Sequence, residues 1–129
     1  MLLVRARVGI SKIQGLGLIA HEFIAKGTVT WRLVPGFDLL FSEEEVELLS
    51  PSAREQVYHY AFFLPRLQKH ILCSDDSRFS NHSDDANARF RDDHVVATRD
   101  IQEGEEITED YGEYEHNMHR ITRPRMITP

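Results

Sequence analysis

Two polar segments in the second half of the chain, separated by a short spacer, constrain its fold more than any other feature. Residues 78–88 read RFSNHSDDANA and residues 104–112 read GEEITEDYG. Near the beginning of the chain, residues 11–20 read SKIQGLGLIA and contain two glycines one residue apart. Such a glycine pair is weak evidence alone, as is an Asn-His-Ser triplet, but three motifs in a fixed order are far more specific.

These motifs resemble those of the SET-domain protein lysine methyltransferases, and the brevity of the chain is similar to that of the minimal viral and bacterial members. The family's usual forms are R-F-x-N-H-S-x-x-P-N and G-E-E-L-x-x-D-Y, preceded by a G-x-G loop. The resemblance covers nearly the whole chain at its two ends and is weak between residues 35 and 70, where substrate choice is usually set. It implies an enzyme that uses S-adenosyl-L-methionine to methylate a lysine side chain of a basic protein such as a histone.

Composition indicates one ordinary globular domain. The chain has 129 residues, of which 41% are hydrophobic and 28% charged, enough for a core without metal or disulfide cross-links. No apolar run approaches the roughly 20 residues that cross a bilayer, and the first residues are too soon charged to form a signal peptide. The single Cys73 excludes an internal disulfide. We therefore expect a soluble intracellular protein without a membrane partner, cytoplasmic in a bacterium and able to reach the host nucleus in a virus.

The net charge of −6 argues against direct nucleic-acid binding, which requires a clustered basic face. An acidic surface suits a partner rich in lysine and arginine, although each acidic run is also explained as solvated surface. The central region is the most one-sided, because Arg54 is its only basic residue between positions 42 and 64 apart from histidine. Its glutamates, which we expect to form a negative wall of a peptide groove, are Glu43, Glu44, Glu45, Glu47 and Glu55.

Short strand-like segments flank one helical region. Ser42 and Glu45 have capping-box spacing ahead of a helix, and a second helix is predicted from a cap at Ser52 to Leu64, before Pro65. Alternating or β-branched runs bounded by turn residues predict strands at residues 4–8, 28–34, 70–73, 94–99 and 106–108.

This pattern predicts an α+β fold that is mainly β. The resemblance further implies a single SET domain over residues 1–129, with small twisted β-sheets and a helical insert at about 38–68. It also implies a C-terminal segment threaded as a pseudo-knot and a tail at about 113–129 without a zinc cluster.

The resemblance also assigns a cofactor site. Glycines permit backbone geometries and close approach that a Cβ would block, and the family's G-x-G main chain holds the amino-acid end of the cofactor. The family's asparagine contacts the same end, and the backbone of the next residue pairs with the adenine edge, while its imidazole is structural. The cofactor-binding residues are therefore predicted to be Gly15, Leu16, Gly17, Asn81, His82 and Tyr111.

Tyr111 matches the family's catalytic tyrosine. Methyl transfer requires a neutral lysine amine, and a lysine with a pKa near 10.4 pays about 4–5 kcal/mol to lose its proton at pH 7. A narrow apolar channel lowers that pKa by desolvation. The phenol and nearby carbonyls then orient the amine, so we expect the tyrosine to act mainly by positioning.

The sequence departs from the family pattern at three places. Asp84 and Ala86 replace the usual Cys and Pro, and Glu109 stands where many members carry a Phe or Tyr that regulates how many methyl groups are added. The tail has no Trp to cover the adenine, and the choice stays open among Tyr114, His116, Met118 and His119.

Two other classes of function compete with this interpretation. One is a metal enzyme, because aspartates and histidines cluster between residues 82 and 94, but no zinc or calcium spacing is present, so we predict no metal. The other is a catalytically inactive SET-fold module that binds protein partners. A homodimer, the substrate protein and the number of methyl groups added are left open by the sequence.

Overall fold

The computed structural model describes residues 1–111. In this range the chain forms ten strands, two α-helices and one short 3₁₀ helix, so the fold is α+β and mainly β, as predicted. Neither helix has the length or apolar character that a bilayer crossing requires. The elements in chain order are β1 (Ala6–Ile10), β2 (Leu16–Ala20), β3 (Val29–Arg32), β4 (Leu39–Phe41), α1 (Glu43–Glu47), α2 (Pro51–Tyr60), β5 (Phe62–Leu64), β6 (Lys69–Leu72), the 3₁₀ helix (Asp76–Phe79), β7 (Asn81–His82), β8 (Ala88–Arg91), β9 (His94–Ala97) and β10 (Glu106–Glu109).

The main sheet has the strand order β1-β2-β10-β8-β9-β3, and β7 also pairs with β10. Strands β1 and β2 form an antiparallel hairpin, and β10 pairs antiparallel with β2 but parallel with β7 and β8. The last described strand therefore lies inside the sheet, next to both the glycine motif and the Asn-His segment. This topology brings together three motifs that are far apart in the sequence.

The core lies against this sheet. Leu18, Ile101 and Ile107 are at most 2% exposed, and Trp31 is 4% exposed with its ring edge-on to Phe62 at 6.0 Å between centroids. Burying an aliphatic side chain of this size contributes about 1.5–3 kcal/mol to the stability of the fold. Ile107 lies at the centre of β10, so the core fixes the strand that joins the motifs.

The two helices lie beside a second sheet with the order β4-β6-β5. The predicted capping box of α1 is confirmed, because Ser42 Oγ accepts from Glu45 N at 3.1 Å and Glu45 Oε1 accepts from Ser42 N at 2.8 Å. The predicted cap of α2 is wrong. Ser50 caps this helix by accepting from Ala53 N at 3.2 Å, because Pro51 occupies the first helical position that its fixed φ favours.

The predicted end of α2 at Leu64 is also wrong, because the helix ends at Tyr60. The next residue, Ala61, is extended, and Phe62–Leu64 pairs antiparallel with β6 instead. Phe63 and Leu64 are each only 6% exposed, so burial in the second sheet outweighs continuation of the helix.

Three of the five glutamates predicted to face a peptide instead bond to side chains of this helical region and its sheet. Glu43 Oε2 lies 2.9 Å from Nε2 of the fully buried His70, and Glu43 Oε1 accepts from the Tyr58 hydroxyl at 2.6 Å. Partial burial opposes ionisation of Glu43, yet these two hydrogen bonds outweigh it and hold its pKa below the ordinary value. Glu45 and Glu47 also have local partners, Lys69 at 3.6 Å and Arg54 at 3.0 Å.

Candidate functional site

The glycine motif forms a tight loop between β1 and β2. Ser11 N donates to Gly15 O at 2.9 Å, and Ser11 Oγ accepts from Ile13 N at 2.8 Å and Gln14 N at 3.2 Å. Gly15 has a φ of +51°, which glycine adopts without strain, and no atom lies within 4 Å of the position that a Cβ would take. One side of the loop is therefore open.

Gly17 is required for a different reason. It lies in β2, and a Cβ added there would be 2.4 Å from Glu106 Oε2. The group that approaches the backbone of this motif closely is thus the Glu106 side chain of β10. The intervening Leu16 pairs with Ile10 and is 52% exposed.

Asn81 joins the motif at residues 78–88 to this loop. Its Nδ2 donates to Leu16 O at 2.9 Å, to Gln14 O at 3.3 Å and to Glu106 Oε2 at 2.9 Å. The predicted residues Asn81 and Leu16 are thus in direct contact, although 65 residues separate them in the sequence.

The side chain of His82 is occupied by two hydrogen bonds. Its Nδ1 accepts from Tyr111 N at 3.0 Å, and its Nε2 lies 2.9 Å from Asp84 Oδ1. An imidazole whose Nδ1 accepts carries its proton on Nε2, where it donates to the fully exposed Asp84 carboxylate. This arrangement agrees with a structural role for the imidazole.

The backbone of His82 faces away from β10. His82 pairs with Glu109 in a parallel ladder, in which Ser83 N donates to Glu109 O at 3.0 Å. A parallel ladder bonds to the residues on either side of the paired one, so the N–H and C=O of His82 itself point to the other edge of β7. Within residues 1–111, no other strand pairs with that edge.

Tyr111 lies two residues after the end of β10. Its hydroxyl donates to the Ser80 carbonyl, and its ring lies 5.5 Å from that of His82 between centroids. The structure therefore connects all six predicted residues: Asn81 contacts the glycine loop, His82 follows it in β7, and Tyr111 bonds to His82.

Three residues of this arrangement were not predicted as site residues: Ser11, Ser80 and Glu106. Each lies within one of the three motif segments, and the sequence offers no other signal that could have identified it. Glu106 is the most connected, because it contacts Asn81, accepts from the Ser11 hydroxyl at 2.8 and 2.9 Å, and lies against Gly17.

Glu109, at the position of the family's aromatic residue, is half-buried and shares a face of β10 with the buried Ile107. It lies near Cys73, whose thiol pKa is raised to about 12 by burial, with a smaller contribution from surrounding carboxylates that include Glu109. Its side chain therefore lies on the Ile107 face of β10, near Cys73. The four candidates for covering the adenine lie outside the described residues.

Within the described residues, five of the six aspartates and histidines considered for a metal site, all except Asp92, pair with a neighbouring side chain, and His82 pairs with Asp84 at 2.9 Å. Asp85 pairs with Arg99 at 3.3 Å, and Asp93 pairs with His94 at 3.1 Å. Across residues 1–111, no group of three His, Cys, Asp or Glu side chains converges in a way that could hold an ion.

Comparison with known proteins gives a family match for most of the chain. The family model of the SET domain matches residues 15–112, which include all six predicted residues. The sequence has no match among curated proteins.

Solved structures share the fold. A putative histone methyltransferase of Plasmodium falciparum superposes with a TM-score of 0.62 at 21% identity, over 86% of this chain and 96% of that one. Polycomb Repressive Complex 2 of Chaetomium thermophilum, in a humanized mutant bound to an inhibitor, gives 0.65 at 24% identity, over 91% of this chain and 16% of that one. The same complex with a second inhibitor gives 0.64 at 22% identity, over 85% and 15%. The protein thus spans about one sixth of the Polycomb chains. With the family model matching most of its length, the chain belongs to the SET-domain family.

Proposed function

We propose that the protein is an S-adenosyl-L-methionine-dependent protein-lysine N-methyltransferase. One observation carries the proposal: Asn81 and Tyr111 belong to the same group of hydrogen-bonded residues. In such a reaction the Asn81 amide would hold the cofactor and the Tyr111 phenol would orient the lysine amine. Asn81 is fixed on the glycine loop, and Tyr111 is fixed on Ser80 and His82. A protein that only bound partners would not need a hydroxyl held in this way.

The residues present fit the cofactor. Its amino-acid end carries an ammonium and a carboxylate, and Asn81 has Oδ1 as an acceptor while its Nδ2 is used by the loop. The open side of Gly15 gives room for close approach to the main chain. The N–H and C=O of His82, directed away from β10, offer a donor and an acceptor for an adenine edge.

When bound, this cofactor supplies a methyl group on a positively charged sulfur, and transfer to a neutral lysine amine leaves a neutral sulfide and a proton to be released. Tyr111 supports this reaction by orientation. Its hydroxyl proton is donated to the Ser80 carbonyl, which fixes the direction of the phenolic oxygen beside which the amine would be oriented. The two fixed points on Ser80 and His82 hold the phenol before substrate arrives, which lowers the entropy cost of alignment.

The substrate that we propose is a lysine of a basic protein such as a histone. The net charge of −6 favours a basic partner over nucleic acid. Among the structures with the same fold, one is described as a putative histone methyltransferase. We keep the homodimer as a hypothesis to be tested by light scattering.

The test has two parts. Binding of S-adenosyl-L-methionine is measured by calorimetry and by melting temperature, since a ligand at 100 times its Kd should stabilise the fold by roughly 2.7 kcal/mol. Transfer is measured with labelled cofactor and a cell lysate, followed by mass spectrometry of the labelled lysine, with Tyr111→Phe as the negative control. Binding without transfer would show an inactive interaction module, and transfer that a chelator abolishes would show a metal enzyme.

A further inference from the structure

The Glu106 carboxylate joins three segments of the chain. The Ser11 hydroxyl donates to Oε1 at 2.8 Å and to Oε2 at 2.9 Å, and Asn81 Nδ2 donates to Oε2 at 2.9 Å. The same oxygen lies against the Cα of Gly17, where a Cβ would approach it to 2.4 Å. Glu106 thus contacts the start of the glycine loop, its end and the Asn-His segment.

These contacts decide which way the Asn81 amide faces. Nδ2 lies among three acceptors, and an amide turned by 180° would place Oδ1 against Glu106 Oε2 and two carbonyl oxygens. That repulsion fixes Nδ2 towards the loop. Among residues 1–111, Oδ1 has no hydrogen-bond partner, so it is the atom left to accept from a ligand.

Glu106 also explains the second glycine of the motif. The φ of Gly17 lies outside the left-handed region that Gly15 occupies, so its backbone conformation does not require glycine. The requirement comes from the space that the Glu106 carboxyl group fills, since a Cβ would lie 2.8 Å even from its Cδ. Gly17 and Glu106 are therefore a matched pair.

We propose that Glu106 is a positioning residue of the cofactor site, an inference that rests on the proposed function. Its carboxylate orients Asn81 so that Oδ1 accepts from the cofactor's ammonium group, and it holds the glycine loop through Ser11. Glu106 acts through these neighbours and has no part in the transfer itself.

The first experiment measures the Kd of S-adenosyl-L-methionine by calorimetry for Glu106→Ala, Glu106→Gln and the parent protein. Loss of a hydrogen bond to a charged group predicts about tenfold weaker binding for Glu106→Ala. Glu106→Gln keeps the shape and one acceptor, so its Kd should lie between those of Glu106→Ala and the parent. The matched controls are Glu105→Ala and Glu105→Gln, because Glu105 lies in the same motif but, within residues 1–111, its carboxylate accepts only from Gln102 N, at 2.7 Å. Their Kd should equal that of the parent.

The second experiment measures melting temperatures without ligand for Gly17→Ala in three backgrounds. Gly17→Ala should lower the melting temperature strongly in the parent, where the Cβ meets the carboxylate. The same change should have less effect in Glu106→Ala, because the carboxyl group is gone and the nearest remaining atom, Ser11 Cβ, lies 3.1 Å from the added Cβ. In Glu106→Gln it should be as damaging as in the parent, because the amide fills the same volume.

The outcomes separate the inference from the function on which it rests. If the parent binds cofactor and methylates lysine but both Glu106 variants bind with unchanged Kd, Glu106 does not position the site. A lower melting temperature with unchanged Kd would show a purely structural role, whereas positioning should raise the KM for cofactor more than it lowers kcat. If the parent does not bind cofactor, the proposed function and the positioning role both fall. An equal effect of Gly17→Ala in all three backgrounds would refute the pairing of Gly17 with Glu106.

Discussion

The backbone N–H of Tyr111 donates to Nδ1 of His82 at 3.0 Å, and their rings lie 5.5 Å apart between centroids. The imidazole therefore fixes the backbone N–H of Tyr111 and is not placed to accept a proton from a substrate. Its other nitrogen is bonded to Asp84, which further fixes the ring. Because His82 also lies in β7, the tyrosine is tied to the same short strand that carries Asn81.

Replacement of Tyr111 by Phe should leave the Kd for cofactor nearly unchanged and lower methyl transfer by at least about 10²-fold, because the hydroxyl acts on transition-state geometry more than on ground-state binding. The measurements are calorimetry and single-turnover transfer. Tyr58→Phe is the control, since it loses a hydroxyl that, within residues 1–111, bonds only to Glu43 and Glu47. Equal losses of binding and transfer in Tyr111→Phe would show that the phenol is structural.

Transfer should become faster between about pH 7 and 9, because the lysine amine must lose its proton before it reacts and its ordinary pKa is about 10.4. Among residues 1–111, neither side chain next to the tyrosine site is set to act as a base, since the His82 nitrogens are both hydrogen-bonded and the Tyr111 proton is donated to Ser80. Initial rates at saturating cofactor over this range test the prediction. An optimum on the acidic side of neutrality would mean that a protein group titrates instead.

Acid should destabilise the helical region partly through Glu43. Because the pKa of Glu43 is lowered in the folded protein, the unfolded chain binds this proton more tightly. The stability that the carboxylate contributes is therefore present above its ordinary pKa of about 4.3 and is lost as the pH falls through the lower folded value.

Urea unfolding of the parent and Glu43→Gln between pH 7 and 3 measures this effect. The two free-energy curves should converge as the pH falls, because the glutamine keeps the acceptor for Tyr58 but cannot titrate. Glu44→Gln is the matched control, since Glu44 is exposed and has no hydrogen-bond or ion-pair partner among residues 1–111. Parallel curves for the parent and Glu43→Gln would exclude the carboxylate as the titrating group.

The sequence predicted the meeting of the motifs but not the contacts that bring it about. The strand β2 was missed because Gly17 inside it and Gly15 just before it indicate a loop, and only pairing on both sides with β1 and β10 makes this segment a strand. Glu106 was missed for a similar reason. Its partner Ser11 is 95 residues away, and no local pattern distinguishes a glutamate that accepts such a bond from its solvated neighbours.

Local signals succeeded where the determining interactions are local. The capping box of Ser42 and Glu45 spans one helical turn, so it could be read directly from spacing. The end of α2 could not, because Phe63 and Leu64 leave the helix to be buried against β6, a tertiary effect that overrides helical propensity.

For electrostatic selection of a basic peptide, the structure reduces the number of candidate glutamates. Of the five glutamates in the helical region, Glu43, Glu45 and Glu47 bond to neighbouring side chains, so reversing their charge would damage the fold before it changed selectivity. Glu44 and Glu55 are exposed and, within residues 1–111, have no hydrogen-bond or ion-pair partner. They are the carboxylates free to attract a basic substrate.

The variant to compare is therefore Glu44→Lys/Glu55→Lys, with Glu103→Lys as the control for a reversed charge in an exposed turn elsewhere. We expect the parent to have a higher kcat/KM on a lysine in a basic peptide than on the same lysine in a neutral one, chiefly through faster encounter. The double variant should lose most of this preference, whereas Glu103→Lys should keep it. Raising the ionic strength from 0.01 to 1 M shortens the screening length from about 30 to 3 Å, so the preference of the parent should fade over that range. A ratio near one that does not change with salt would mean that these glutamates only solvate the outer helix surface.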